Sequence, residues 1–93
     1  MSSWFVYMVR CADGSLYTGI STDLGRRVQQ HNDGKGSAYT KSHGPVELVW
    51  SEQAKSESAA RKCEAQIKGW TRKMKFAFIA SKKSAILSAS PKN

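Results

Sequence analysis

Trp4-Phe5-Val6-Tyr7-Met8-Val9-Arg10-Cys11-Ala12-Asp13-Gly14-Ser15-Leu16-Tyr17-Thr18-Gly19-Ile20 is the stretch that decides the fold. Its first six residues are aromatic, β-branched or otherwise apolar, the composition of a buried strand. Ala12-Asp13-Gly14-Ser15 is a strong hairpin signal. Leu16 to Ile20 then reads as the second strand. The register of this hairpin has a consequence for the tyrosines. A two-residue Asp13-Gly14 turn would pair Tyr7 with Ile20 and send Tyr7 and Tyr17 to opposite faces. A three-residue loop, with Gly14 as the left-handed residue of a bulge, pairs Tyr7 with Gly19 and Val9 with Tyr17, so both tyrosines share one face. The second register is the one expected, and the functional reading depends on it.

Outward from the hairpin, a helix is expected to start near Ser21 or Thr22, either of which can cap it, with Asp23 in the first turn. It runs to about Asn32. Leu24 and Val28 give it an apolar stripe, and Arg27 and His31 lie four apart on the adjoining face. Gly25 costs this helix about 1 kcal/mol relative to alanine. Asn32 to Pro45 is a polar, Gly-rich segment holding Lys35, Tyr39, Lys41 and His43, read as irregular. Val46 to Trp50 is a third strand. Ser56 is placed to cap a second helix, Glu57 to Lys68, with Ala60, Cys63 and Ile67 on its apolar stripe and Gly69 ending it. Thr71 can cap a third helix carrying Met74, Phe78 and Ile79. Residues 1–83 are expected to form one domain, and residues 84–93 a frayed tail. The expected class is α+β: a small three-stranded, mostly antiparallel sheet flanked by about three helices.

The 93 residues leave no room for a second domain. No stretch approaches the ~20 apolar residues of a membrane span, and Met1-Ser2-Ser3-Trp4 lacks the basic-then-apolar pattern of a signal peptide. A cytoplasmic location is expected. Cys11 and Cys63 read as small buried apolar residues, and with two scattered histidines they form no recognisable zinc site. The net charge of +8 is unevenly placed. Residues 1–54 hold five Lys/Arg and five Asp/Glu, whereas residues 55–93 hold ten Lys/Arg against Glu57 and Glu64. That asymmetry points to a polyanionic partner, nucleic acid first and an anionic membrane surface second.

The order of strand with Tyr, turn, strand with Tyr-x-Gly, helix with Arg and His, strand, helix with Glu is similar to the GIY-YIG nuclease domain over residues 4 to about 70. The first signature element is Phe5-Val6-Tyr7 and the second is Tyr17-Thr18-Gly19. Phe5 and Val6 stand in place of Gly and Ile, and Thr18 in place of Ile. Each piece is weak alone; the ordered set of Tyr7, Tyr17, Gly19, Arg27, His31 and Glu64 is much more specific. The small single-domain bacterial members resemble the chain most. The resemblance implies a Mg²⁺- or Mn²⁺-dependent phosphodiesterase acting on nucleic acid, DNA rather than RNA.

The same residues make chemical sense one at a time. A carboxylate is the usual oxygen ligand for Mg²⁺, and one carboxylate plus waters and substrate oxygens can suffice. Glu64 is that candidate, on the border of the inward helix face; the bland alternative is an ion pair with Lys68 or Arg61. Glu57 competes but belongs in the first helical turn. Arg27 can grip two phosphate oxygens in a fork that lysine cannot supply, and Arg26 fits a solvated face better. Tyr7 and Tyr17 are candidates for activating the nucleophile, provided cations lower their pKa; packing in the core is the commoner fate. His31 can serve as proton shuttle or phosphate donor, or simply satisfy a carbonyl at a helix end. Gly19 would let the backbone pass close to the site. Lys35, Lys41, Lys68, Arg72, Lys73 and Lys75 together predict salt-sensitive binding. No element reads bases, so recognition by shape, or with a partner protein for targeting, is expected; no membrane role is.

Overall fold

The Ala12-Asp13-Gly14 loop joins strand β1 (Trp4–Cys11) to β2 (Leu16–Ser21) in the computed structural model, which describes residues 3–89. Gly14 sits at φ 87°, the left-handed region that an L side chain rarely adopts. The Cys11 N–H donates to the Ser15 carbonyl at 2.8 Å, closing the three-residue loop. The Asp13 carboxylate accepts from both the N–H and the hydroxyl of Ser15, at 3.0 and 2.6 Å. The antiparallel ladder then pairs Tyr7 with Gly19 and Val9 with Tyr17, the bulged register that places both tyrosines on one face.

Strand β3 (Val46–Ala54) pairs antiparallel with the other side of β1, giving the order β2-β1-β3. Met8 opposes Trp50 while Val9 opposes Leu48, so Val49 is an extra residue that bends β3. Both β1 and β3 run past the ends expected from sequence, at Val9 and Trp50.

Among the described residues four helices flank the sheet, where about three were expected. Helix α1 (Leu24–Asn32) is capped by Asp23, whose carboxylate accepts the Arg26 N–H at 3.1 Å. The cap was expected at Ser21 or Thr22. Ser21 instead uses its hydroxyl to accept the Asp23 N–H at 3.0 Å, one step earlier in the turn. The segment read as irregular holds a second helix, α2 (Ala38–His43), with a reciprocal capping box between Ser37 and Thr40. Helix α3 (Glu57–Lys68) is capped by Ser56 and ends at Gly69. Helix α4 (Arg72–Ala89) follows Thr71, whose hydroxyl accepts the Met74 N–H at 3.2 Å. Its backbone continues through 84–89, part of the stretch expected to fray; residues 90–93 lie outside the described residues.

Strand alternation gives each face of the sheet its own core. Val6 and Met8 point to one face and pack with Ala60 and Ile67 of α3 and Ile79 of α4. Trp50 and Trp70 meet the Phe78 ring edge-to-face there, with centroids 5.1 and 5.2 Å away. Tyr7, Val9 and Cys11 point to the other face, with Val46 and the Leu24–Val28 stripe of α1. Cys11 is buried, Cys63 half-buried, and both are free thiols. Among the described residues, no helix is long and apolar enough to cross a membrane.

Candidate active site

Tyr7 and His31 are almost wholly buried, at 0% and 1% exposure, and they face each other. The Tyr7 hydroxyl lies 2.8 Å from His31 Nε2, and Arg27 Nε donates to the same hydroxyl at 3.4 Å. The i to i+4 spacing of Arg27 and His31 on α1 is what lets both reach one phenol. Arg27 Nη1 also donates to Gln30 Oε1 at 3.1 Å. With Nε and Nη1 held, Nη2 has no hydrogen-bond partner among the described residues. Arg26, by contrast, is exposed.

Gly19 makes this arrangement possible. A Cβ built there would lie 2.5 Å from the Tyr7 hydroxyl oxygen, so the Tyr7 ring crosses β2 through the space a side chain would fill. Gly19→Ala is therefore expected to displace the ring, lowering stability by about 1–3 kcal/mol as overpacked sites do. Thermal melts check this: an unchanged Tm would mean the ring tolerates the methyl and the close approach carries no constraint.

Tyr17 is half-buried and sets its ring edge-on to His31 at 5.4 Å. It continues outward into a stack: Tyr39 lies 6.0 Å from it, and His43 lies 4.1 Å from Tyr39, nearly parallel. His43 is held by the Tyr39 carbonyl at 2.6 Å and lies 3.7 Å from Asp13, so it serves the loop rather than the buried network.

Glu64 arrives on α3, from the opposite face. Its carboxylate pairs with Lys68 at 3.2 Å, and the Lys68 ammonium sits 5.6 Å from the centre of the Tyr17 ring. β2 is an edge strand, and Lys68 is the α3 side chain that meets Tyr17 on it. Glu57 stays with Arg61 at 2.6 Å, in the first turn where it was expected.

The electrostatics follow from this packing. Burial raises the Tyr7 pKa above its usual 10, against the opposing Arg27 hydrogen bond and charge, with a smaller rise from the nearby Glu64 carboxylate. Burial lowers the His31 pKa below its usual 6.5, assisted by Arg27, so the ring is neutral at pH 7. With both ring nitrogens already hydrogen-bonded inside the protein, His31 presents no edge to a phosphate. Of its two expected roles, direct phosphate donation is not available in this arrangement.

Among the described residues, no group of three or more His, Cys, Asp or Glu gathers as a metal cage. The single carboxylate of Glu64, paired here with Lys68, fits a hard cation such as Mg²⁺ that takes one or two carboxylates and keeps several waters. Arg72 and Lys75 line a concavity with Ser15, Leu16 and Tyr39, next to the aromatic stack. Arg72 Nη2 also donates to the Gly14 carbonyl at 3.4 Å. Lys35, Lys41 and Lys73 are exposed.

Two participants were missed in the sequence. Thr40 is fully buried against His31 Nδ1 at 2.6 Å, and Gly36 lies where any Cβ would collide with the same ring. The only available signal was the Ser37-x-x-Thr40 spacing of a helix cap.

A three-stranded antiparallel sheet with this ordered set of two tyrosines, arginine, histidine and glutamate defines a GIY-YIG catalytic domain. The family of that description matches residues 3–77, and the chain belongs to it. Among individual proteins, it is similar to the UPF0213 protein of Staphylococcus aureus (strain Mu3 / ATCC 700698), with 49% identity over 79 residues covering 85% of this chain and 96% of that protein. Two solution NMR structures are also similar. The UPF0213 protein BH0048 from Bacillus halodurans is 38% identical with TM-score 0.57, covering 86% of this chain and 85% of that one. The protein EF2693 from E. faecalis is 36% identical with TM-score 0.59, covering 87% and 86%.

Proposed function

We propose that the protein is a metal-dependent endonuclease that cleaves phosphodiester bonds in DNA, directed by the shape of the substrate rather than by its base sequence. The observation that carries this reading is the chain of contacts in which Arg27 and His31 meet Tyr7, Tyr17 sets its ring against His31, and Lys68 links Tyr17 to Glu64. Phosphodiester hydrolysis needs a held phosphate, an oriented water and stabilisation of developing charge. Arg27, through its Nη2 end, holds a non-bridging phosphate oxygen. Tyr17 is the half-buried tyrosine and meets the attacking water, while the buried Tyr7 braces Arg27 from behind. Glu64 would hold Mg²⁺ or Mn²⁺, which when bound offsets charge on the phosphodiester oxygens. Lys68 would then leave the carboxylate for a substrate phosphate.

The Tyr17–Tyr39–His43 stack beside Arg72 and Lys75 supports a substrate with unpaired nucleotides. Bases stack on aromatic rings irrespective of sequence, and cations follow the backbone. Stacking and backbone contacts of this kind carry no base sequence, which supports shape-directed recognition. Tyr39→Ala is expected to weaken binding of single-stranded DNA roughly 10-fold, the worth of one stacked base. Titration by fluorescence anisotropy at fixed salt reads this directly, and an unchanged Kd would remove the stack from the binding surface.

The Glu64–Lys68 pair favours a second reading. A carboxylate already neutralised by a lysine suits a nucleic-acid-binding module, or a subunit that a partner protein completes. End-labelled flap, fork, single-stranded and duplex DNA, incubated with pure protein in Mg²⁺ or EDTA, separate the two. Mg²⁺-dependent products are expected, most from substrates with unpaired segments; binding without products on every substrate would favour the module.

A further inference from the structure

Behind Tyr7 a chain of hydrogen bonds runs into the first turn of α2. His31 Nδ1 lies 2.6 Å from Thr40 Oγ1, and His31 Nε2 lies 2.8 Å from the Tyr7 hydroxyl. Thr40 Oγ1 lies 3.2 Å from the Ser37 carbonyl and accepts the Ser37 N–H at 3.2 Å. A neutral histidine has one N–H, so only two arrangements of protons are open. In the first, Nε2 carries the proton and donates to Tyr7, while the Thr40 hydroxyl donates to Nδ1. Arg27 Nε–H and His31 Nε2–H would then both point at the Tyr7 oxygen, and the Tyr7 O–H would lack an acceptor in a fully buried place. In the second, Nδ1–H donates to Thr40, Thr40 O–H donates to Ser37, and Tyr7 O–H donates to the bare Nε2. The Tyr7, His31 and Thr40 donors then all have acceptors, the half-buried Ser37 hydroxyl 3.1 Å from Thr40 Oγ1 is left to face solvent, and the Tyr7 oxygen remains free to accept from Arg27. A stranded buried donor is costly, which selects the second arrangement.

We infer that Thr40 is a positioning residue that holds His31 as its Nδ1–H tautomer, so that Nε2 takes the Tyr7 hydrogen bond and the Tyr7 oxygen is kept as the acceptor that aims Arg27. The groups around the ring agree with this. Tyr7 faces it from β1, Tyr17 from β2, Arg27 from α1 and Thr40 from α2. Among the described residues no carboxylate hydrogen-bonds the imidazole. A hydroxyl partner fixes a tautomer without drawing the ring into its charged form, unlike the carboxylate partner of many histidines. Gly36 leaves the ring its room on the Nδ1 side. The α2 cap thus has two functions: it starts a short helix and sets the protonation pattern of the site.

The effect on turnover rests on the nuclease reading above, whereas the tautomer does not, and one set of measurements separates them. Long-range ¹H–¹⁵N correlation spectra of the labelled wild-type protein at neutral pH report which His31 nitrogen carries the proton. Nδ1–H is expected; Nε2–H overturns the inference, whatever the activity. Thr40→Val keeps the side-chain shape and removes the hydroxyl, with retained amide dispersion checking the fold. Loss of the Nδ1–H signature is expected, with a fall of roughly 10- to 100-fold in kcat from one lost buried hydrogen bond and little change in KM. Thr40→Ser is expected to restore both. A Thr40→Val protein with the wild-type tautomer and wild-type kcat overturns the positioning role. A wild-type protein with Nδ1–H that cleaves nothing supports the tautomer assignment and overturns the nuclease reading.

Discussion

Changing Arg27 to alanine is expected to cut kcat by roughly 100- to 1,000-fold, the usual loss when one preorganised donor to a reacting oxygen is removed. The fold should survive, because Arg27 is only half-buried and Tyr7 keeps its bond to His31. Arg27→Lys should not rescue the activity. The Nε–H that meets Tyr7 and the Nη2 end proposed to meet phosphate belong to one rigid plane, and an ammonium cannot serve both. Steady-state kinetics on alanine and lysine variants test this, and wild-type turnover in Arg27→Lys would remove the guanidinium from the reaction.

Changing Glu64 to glutamine is expected to reduce Mg²⁺-dependent cleavage by about 100-fold or more, since the same shape would lack the charge that holds the cation. The lost Glu64–Lys68 pair costs little stability, because partly exposed i,i+4 pairs contribute little. Lys68 is released toward the phosphates, so DNA binding should hold or tighten. Higher Mg²⁺ should recover part of the rate if affinity for the cation is what was lost. A Mg²⁺ titration of cleavage by both proteins reads this, and identical curves would show that Glu64 does not hold the metal.

The hairpin and its tyrosines were legible because local chemistry dictates them. A left-handed glycine three residues into a tight loop fixes register, and register fixes which side chains share a face. Arg27, His31 and Glu64 were singled out by the family resemblance together with helical spacing; Arg27 and His31 do meet at Tyr7, whereas Glu64 makes the ion pair with Lys68 that was its bland alternative. What could not be read was tertiary. Helix α2 is six residues long, too short for hydrophobic periodicity, and it is held by a cap and by burial of Thr40 rather than by propensity. The burial of His31 was also hidden, since the spacing that places it on α1 does not reveal that α2 closes over its far edge. Gly19 was noticed as a site of close approach, but the identity of the approaching group, the Tyr7 ring, needed the sheet. The Asp23 cap was misplaced because three neighbouring residues, Ser21, Thr22 and Asp23, all have capping side chains.

The measurement that bears most directly on the nuclease reading compares wild-type and Glu64→Ala proteins on the same end-labelled single-stranded and flap DNA, with cleavage and binding recorded side by side. The expected result is cleavage by wild type in Mg²⁺ but not in EDTA, and a Glu64→Ala protein that binds with similar affinity and leaves the DNA intact. Wild-type protein that binds in a salt-sensitive way and cuts neither substrate, or Glu64→Ala protein that cuts as wild type does, would contradict it.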